Sequence, residues 1–375
     1  MLFGTKRFKD KMIDFLDKIV ERDVVIKEWA SHLKNMNSPL IMYGAGCWAQ
    51  QQYKMLLEEG VSIDAVGIDT KYFKKGTFFF DKEIQPIEQL MAQNPDATLW
   101  VGFNLDQISF SDVKEKLVKR FGQREICACD CAKYDNFENQ NYSYKEVAEK
   151  KNEFQWLCQR LEDQKSRDTF LSYLNQRISG NYKYAENLFD PNHYFAKDII
   201  SLNKEVFVDC GAYIGDTIQE LLKLDNPKRV YAIEPDEKNF CAMQGAFCKD
   251  DRIICVNKGV YSKKDVLHFA GNNSDASKIS SSGDVEIQVD SIDNIMDGEP
   301  ATFIKMDIEG AELEALKGAS YTIKKHHPTL AISAYHKFED LFTLPQFIYE
   351  LNPNYRFYLR RHSHLTHELV LYALA

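Results

Sequence analysis

Acids and one histidine stand where apolar runs end in the C-terminal half of the chain: Asp209, Glu234, Asp307, Glu309, Glu312 and His336. In "VFVDCGAYIGDT", Asp209 tips an apolar strand. Gly211, Ala212, Tyr213 and Gly215 form a short turn, and Thr217 opens a helix. The turn lacks the G-x-G pair that brings a backbone close to a pyrophosphate. An acid leads instead, and Glu234 closes the next strand in "VYAIEPDE". This set suits a ligand with an ammonium, a carboxylate and a ribose. Asp209 faces the cation, helix N–H groups face the carboxylate, and Glu234 faces the ribose diol. S-adenosylmethionine has those groups and no phosphate.

"KMDIEGAE" puts Asp307 at a further strand tip, with Glu309 and Glu312 behind it. Acids there can offset a sulfonium charge, orient an acceptor or hold a metal. The plainer role for Glu309 and Glu312 is to cap the next helix. His336 ends "LAISAYH" and can take a proton near neutral pH. Methyl transfer needs an acceptor oxygen aligned with the methyl group, and alignment alone supplies about 7–11 kcal/mol. Asp307, His336 and Glu309 are the catalytic candidates, and Asp307 also belongs to the cofactor set. Lys305 is expected to reach the surface or to pair with an acid.

A second glycine turn lies near the start, in "LIMYGAGCWAQ". Gly44, Gly46 and Ala49 fit G-x-G-x-x-A, and Asp69 ends the next strand where a ribose hydroxyl would bind. This is the expected second nucleotide site. The alternatives are a turn that only makes a compact unit, or an NAD-dependent oxidoreductase with its chemistry here.

Other polar clusters read as structural. "REICACDC" alternates like a strand and puts Cys127, Cys129 and Cys131 on one inward face. His362, His364 and His367 lie in the closing hairpin and are expected at a solvated polar tip. Arg360 and Arg361 beside them could grip an acidic sugar or phosphate. No metal site is assigned. "NLFDPNHYF" is placed to form a lid, and "AGNNSDASKISSSGD" reads as a surface loop near the cofactor edge.

The elements that hold these residues alternate strand and helix twice over. The chain has 375 residues, 44% apolar and 27% charged, enough for two cores. We expect a helical arm over 1–36, a Rossmann-like nucleotide-binding domain over 37–133 and a helical connector over 134–204. A methyltransferase domain follows over 205–375. The fold class is α/β: a mostly parallel sheet closed by an antiparallel hairpin, preceded by a small Rossmann-like domain. A net charge of −9 disfavours nucleic acid as a partner. No run is apolar for a bilayer's thickness. An odd number of cysteines, with no export signal, suits a cytoplasmic protein.

"FVDCGAYIGDT", "VYAIEPDEKNF", "VDSIDNI", "FIKMDIEGAELEALKGA" and "ISAYHKFEDLFTLPQFI", in that order, resemble the FkbM family of S-adenosylmethionine-dependent methyltransferases. The resemblance covers residues 195–375. It implies a Rossmann-like methyltransferase that methylates hydroxyl groups of sugars or polyketide-type products. The acceptor is then a small molecule or glycan precursor, nucleotide-linked sugars included. The family's "YH" and "ED" match His336 and Glu339–Asp340. The N-terminal "YGAG…VGIDT…GF" resembles the nucleotide-sugar-binding domain that precedes sugar acyltransferases. A non-catalytic nucleotide-sugar-binding module is the remaining alternative.

Overall fold

The computed structural model describes residues 15–131, 142–269 and 285–375. Its first sheet holds β1 (Leu40–Tyr43), β2 (Ala65–Ile68), β3 (Phe78–Phe79), β4 (Lys82–Pro86), β5 (Thr98–Val101) and β6 (Ile126–Cys127). Their order is β3-β4-β2-β1-β5-β6, parallel throughout except the β3–β4 pair. The order reverses at β1, so the crevice between β1 and β5 lies at the Gly44 turn, where open α/β sheets bind ligands.

The second sheet holds β7 (Val206–Cys210), β8 (Arg229–Ile233) and β9 (Ile253–Val256). After them come β10 (Gly259–Val260), β11 (Asp265–Phe269) and β12 (Val285–Asp290), which form a small sheet of their own. The expected strand "RIICVNKGV" is thus divided between the two sheets. β13 (Phe303–Met306), β14 (Thr329–Ser333), β15 (Arg356–Arg361) and β16 (Leu369–Leu374) complete the main sheet, ordered β15-β16-β14-β13-β7-β8-β9. β16 runs antiparallel between β14 and β15, as the closing hairpin requires.

The inner strands read as unbroken apolar runs because both faces are covered. Val206, Val208, Ile304 and Ile332 point into one core, and Phe207, Val230, Phe303 and Ala331 into the other. The helices expected as a connector supply much of the first core. Phe154, Leu157, Phe170, Tyr173 and Leu174 pack there with Val208 and Phe357. These helices form a layer of the sheet rather than a spacer.

The N-terminal segment also differs from a free arm. Phe15 and Ile19 bury in the core of the second sheet, whereas Val24 to Leu33 bury against the first. The helix Val25–Lys34 is separated from Phe15–Lys18 by a bend, where Asn175 Oδ1 accepts from the Val20 and Glu21 backbone N–H groups at 2.8 and 3.1 Å. Among the described residues no helix is long and apolar enough to cross a membrane. The loop "AGNNSDASKISSSGD" lies outside the described residues.

Candidate active site

β7 and β13 are paired in register, Asp209 opposite Lys305. Side chains alternate along a strand, so both charges share the face that carries Phe207 and Phe303. Neither reaches water: Asp209 is 0% and Lys305 3% exposed. Lys305 Nζ lies 3.0 Å from Asp209 Oδ1 and donates to the Gly211 carbonyl at 2.7 Å. Burial raises the Asp209 carboxyl to about 6, with Lys305 pulling the other way, so the pair is charged at neutral pH. Lys305 is the acid partner the sequence allowed. It fastens Asp209 beneath the turn through Oδ1, and among the described residues Oδ2 has no hydrogen-bond partner.

The turn admits glycine alone at two points. Gly211 has φ +80°, and a Cβ there would overlap the Asp307 carbonyl oxygen. Gly215 has φ +86°, and its Cβ would overlap the Phe247 ring. The two strand-end loops therefore touch. Glu234 ties the turn to the next strand, its oxygens accepting the Tyr213 and Asp236 N–H groups at 2.9 Å each. Burial raises the Glu234 carboxyl. Gly215 caps the helix Asp216–Leu224 without a side-chain hydrogen bond, which leaves first-turn N–H groups for a ligand. Ala212 is buried, Tyr213 stands exposed, and Thr217 lines a cavity of about 160 Å³ with Pro191–Phe195, Asp216 and Glu220.

Across the Gly211 contact, Asp307, Glu309, Glu312 and His336 converge. His336 Nδ1 and Glu312 Oε1 are 2.9 Å apart. His336 Nε2 lies 3.4 Å from Asp307 Oδ1 and 3.7 Å from Glu309 Oε2. Glu312 is fully buried, and its Oε1 also accepts the Ile308 and Gly310 N–H groups at 3.0 and 3.3 Å. It shapes the loop before its helix as well as holding the imidazole. Glu309 itself has φ +54°.

Burial opposes charge on His336, but Glu312, Asp307 and Glu309 outweigh it and raise its pKa to about 10. In this arrangement His336 is protonated, and an imidazolium has no lone pair with which to accept a proton until it has given one up. Burial opposes charge on Asp307 too, yet His336 and Lys305 hold its pKa below the ordinary carboxylate value. Burial lifts the half-exposed Glu309 to about 7, with His336 opposing.

Tyr194 was not among the expected site residues. Its hydroxyl donates to Asp307 Oδ2 at 2.7 Å, and its ring lies 5.1 Å from Lys305 Nζ. The signal was "NLFDPNHYF", whose position before the second sheet suggested a lid.

The first turn is built differently. Gly44 has φ +125°, and a Cβ would lie 2.7 Å from the Gly102 carbonyl oxygen. A Cβ on Gly46 would meet nothing within 4 Å. Ala49 lets helix and strand close up: a Cβ on Gly102 would sit 3.0 Å from its own. Asp69 is already engaged, by the Tyr43 hydroxyl at 2.8 Å and by Arg120 at 2.7 Å.

The remaining clusters do not join either site. Cys127, Cys129 and Cys131 are buried in one core with Trp100, as an inward face requires, although only Ile126–Cys127 is a strand. Arg360 is 1% exposed and pairs with Asp163 and Asp198, while Arg361 is 1% exposed and bonds Gln176 and three carbonyls. Neither can grip a ligand in this position. The expected solvated tip is also corrected. His362 and His364 are buried, His362 between the Asp190 carbonyl and the Tyr372 hydroxyl, His364 stacked on Phe189. His367 reaches Asp106 of the N-terminal half.

The family model for the Methyltransferase FkbM domain matches residues 209–364, and the chain carries a domain of that kind. The crystal structure of methyltransferase FkbM from Methylobacillus flagellatus KT is 24% identical, covers 95% of each chain and has a TM-score of 0.69. That likeness shows a shared fold across both sheets. Aeropyrum pernix fibrillarin with natively bound S-adenosyl-L-methionine is 8% identical, with a TM-score of 0.32 over 48% of this chain and 71% of its own. Precorrin-6y C5,15-methyltransferase from Geobacter metallireducens GS-15 is 12% identical, with a TM-score of 0.30 over 47% and 82%. No curated protein matches the sequence.

Proposed function

We propose that this methyltransferase uses S-adenosylmethionine to methylate a hydroxyl oxygen of a sugar or nucleotide-linked glycan precursor. The observation that carries the reading is the contact of Gly211 with the Asp307 carbonyl. It sets a cofactor turn with no phosphate pattern directly beside a loop of carboxylates. Free N–H groups at the helix Asp216–Leu224 suit the cofactor's carboxylate, and Glu234 has lone pairs left for a ribose diol.

In the reaction, an acceptor oxygen lone pair forms the new C–O bond. The S–CH₃ bond breaks with its electrons going to sulfur, which leaves neutral S-adenosylhomocysteine. The acceptor's proton leaves toward the carboxylates of Asp307 and Glu309 and on to water. Asp307 and Glu309 also offset the sulfonium charge and orient the hydroxyl. His336, held charged, fixes where those acids lie.

The N-terminal crevice at Gly44 and Gly46 is our place for the nucleotide end of such an acceptor. Asp69 Oδ1 is taken there by Tyr43 and Arg120, which leaves an NAD-dependent oxidoreductase only Oδ2 as a ribose acceptor. All nine cysteines are free, which supports a cytoplasmic setting.

The test is transfer of a labelled methyl group from S-adenosylmethionine to a panel of nucleotide sugars and free sugars, with the product resolved by NMR. The expected product is a methyl ether. A product methylated on nitrogen or carbon would remove the hydroxyl acceptor. Tight cofactor binding with no transfer to any panel member would favour a binding module.

A further inference from the structure

We propose that Tyr194 is a positioning residue for methyl transfer: its hydroxyl holds the Asp307 carboxylate where that acid meets the acceptor. The inference rests on the methyl-transfer reading. Tyr194 donates to Asp307 Oδ2 at 2.7 Å. At the other oxygen, His336 Nε2 stands 3.4 Å from Oδ1, beyond a good hydrogen bond, and among the described residues Oδ1 has none. The charge on His336 attracts the carboxylate, but Tyr194 sets the direction in which it points. Ser333 Oγ is 3.4 Å from the tyrosine oxygen, so Asp307 is the nearer partner.

The backbone supports the same reading. Tyr194 has φ +60°, in the left-handed region that a bulky side chain seldom enters. Such a conformation persists only where its surroundings over-determine it, and this loop is held from three sides. Before Tyr194, Asp190 Oδ1 accepts from the Asn192 backbone N–H at 3.0 Å and from its side-chain amide at 2.8 Å. After it, Phe195 is buried against Phe207 and Phe303. The His193 ring stacks on the Tyr194 ring at 3.8 Å, and His193 Nε2 lies 2.9 Å from Glu368 Oε2 of the closing hairpin.

The strained turn delivers a hydroxyl to the carboxylate loop. Tyr194 is buried and its ring lies 5.1 Å from Lys305 Nζ, so the hydroxyl reaches Asp307 beside the Asp209–Lys305 pair. The same loop walls the cavity of about 160 Å³ along the helix Asp216–Leu224. One segment therefore touches both the cofactor helix and the acid that meets the acceptor, which suits the alignment of two reactants. Without the hydroxyl, the Asp307 carboxylate is free to turn toward the His336 imidazolium and away from the acceptor.

The experiment compares the full chain with Tyr194→Phe, which keeps the ring and removes the hydroxyl. Turnover is measured with labelled S-adenosylmethionine and whichever nucleotide sugar or free sugar the parent protein methylates, and cofactor affinity by calorimetry. Turnover should fall about ten- to a hundredfold, through one lost charge-assisted bond and a misplaced acid, while S-adenosylmethionine affinity holds. Ser333→Ala removes a neighbouring buried hydroxyl and should leave turnover unchanged. Unchanged turnover in Tyr194→Phe overturns the inference. So does a matching loss of cofactor affinity, or an equal fall in Ser333→Ala, since either marks a packing role. If Tyr194→Phe fails to fold, His193→Ala decides at a partly exposed position. It removes the ring stack, so turnover should fall several-fold, and unchanged turnover there overturns the inference. A parent protein that methylates no sugar of the panel removes the methyl-transfer reading, and this inference with it.

Discussion

The two glycine turns share one grammar, an apolar strand, a turn and a helix, with an acid ending the next strand. Their acids have different fates. At the first turn, Asp69 is 30% exposed and held by Arg120, itself 36% exposed. At the second, Asp209 is sealed under the turn with Lys305, and Glu234 is stitched to backbone N–H groups. The first turn can loosen at little cost. The second is a frame whose parts fail together, as a site that aligns reactants requires.

The sharpest test of that contrast is a pair of glycine substitutions. Gly211→Ala forces a Cβ into the Asp307 carbonyl at φ +80° and should cost about 4 kcal/mol or more. Gly46→Ala enters open space at φ −81° and should cost about 1 kcal/mol or less. Thermal unfolding of both variants checks this. Equal losses would break the comparison.

Next in size are the two cations. Lys305→Met leaves Asp209 buried without a partner, for a loss of about 3–5 kcal/mol. Arg120→Met leaves Asp69 and Glu88 able to hydrate, for about 1 kcal/mol or less. Urea unfolding with peptide-resolved hydrogen exchange shows the size of each loss and the sheet it strikes.

Acid should separate the two sheets further. Burial, with His193 nearby, pushes His362 down to about 3 from the ordinary 6.5. Between those values the unfolded chain binds a proton that the folded chain does not. His362 therefore contributes a loss of stability on acidification through that window, up to about 1.4 kcal/mol per pH unit, which the raised Asp209 and Glu309 carboxyls offset in part by gaining protons in the folded state. Burial opposes charge on Asp69, yet Arg120 and Tyr43 hold it below 3.8, so its contribution persists until the pH drops below that value. Protection factors in β15 and β16, after correction for the intrinsic exchange rate at each pH, should be lower at about pH 5 than those of His362→Gln, while β1 and β2 are alike in the two proteins. His362→Gln should remove the His362 share of the acid dependence and leave the opposite share of Asp209 and Glu309.

The sequence made one half of this contrast plain. Strand ends are local: apolar runs mark them, so Asp209, Glu234, Asp307 and His336 could be placed together before any coordinates. What stayed hidden depends on distant docking. Arg360, Arg361 and His362 look like a polar hairpin tip, because the helix Gln164–Ser179 and the Asp190 carbonyl that bury them are remote in sequence. Tyr194 meets Asp307 only through a loop with φ +60°, which no periodicity records. The charge on His336 needed the full ring of carboxylates, not the presence of any one.

The smallest expected effect bears most directly on function. Each Glu234 oxygen spends one lone pair on a backbone N–H and keeps another for a ribose hydroxyl. Glu234→Gln replaces one acceptor with a donor, which must turn away from Tyr213 or Asp236. S-adenosylmethionine affinity should fall by roughly tenfold, the worth of one charge-assisted bond. Asp69→Asn, measured in the same calorimeter, should leave that affinity unchanged, since its carboxylate serves Arg120. If Asp69→Asn weakens binding as much as Glu234→Gln, the cofactor sits at the first turn and the two sites exchange roles. If neither does, Glu234 is only a tie between loops, and the ribose must find its acceptor elsewhere along the second turn.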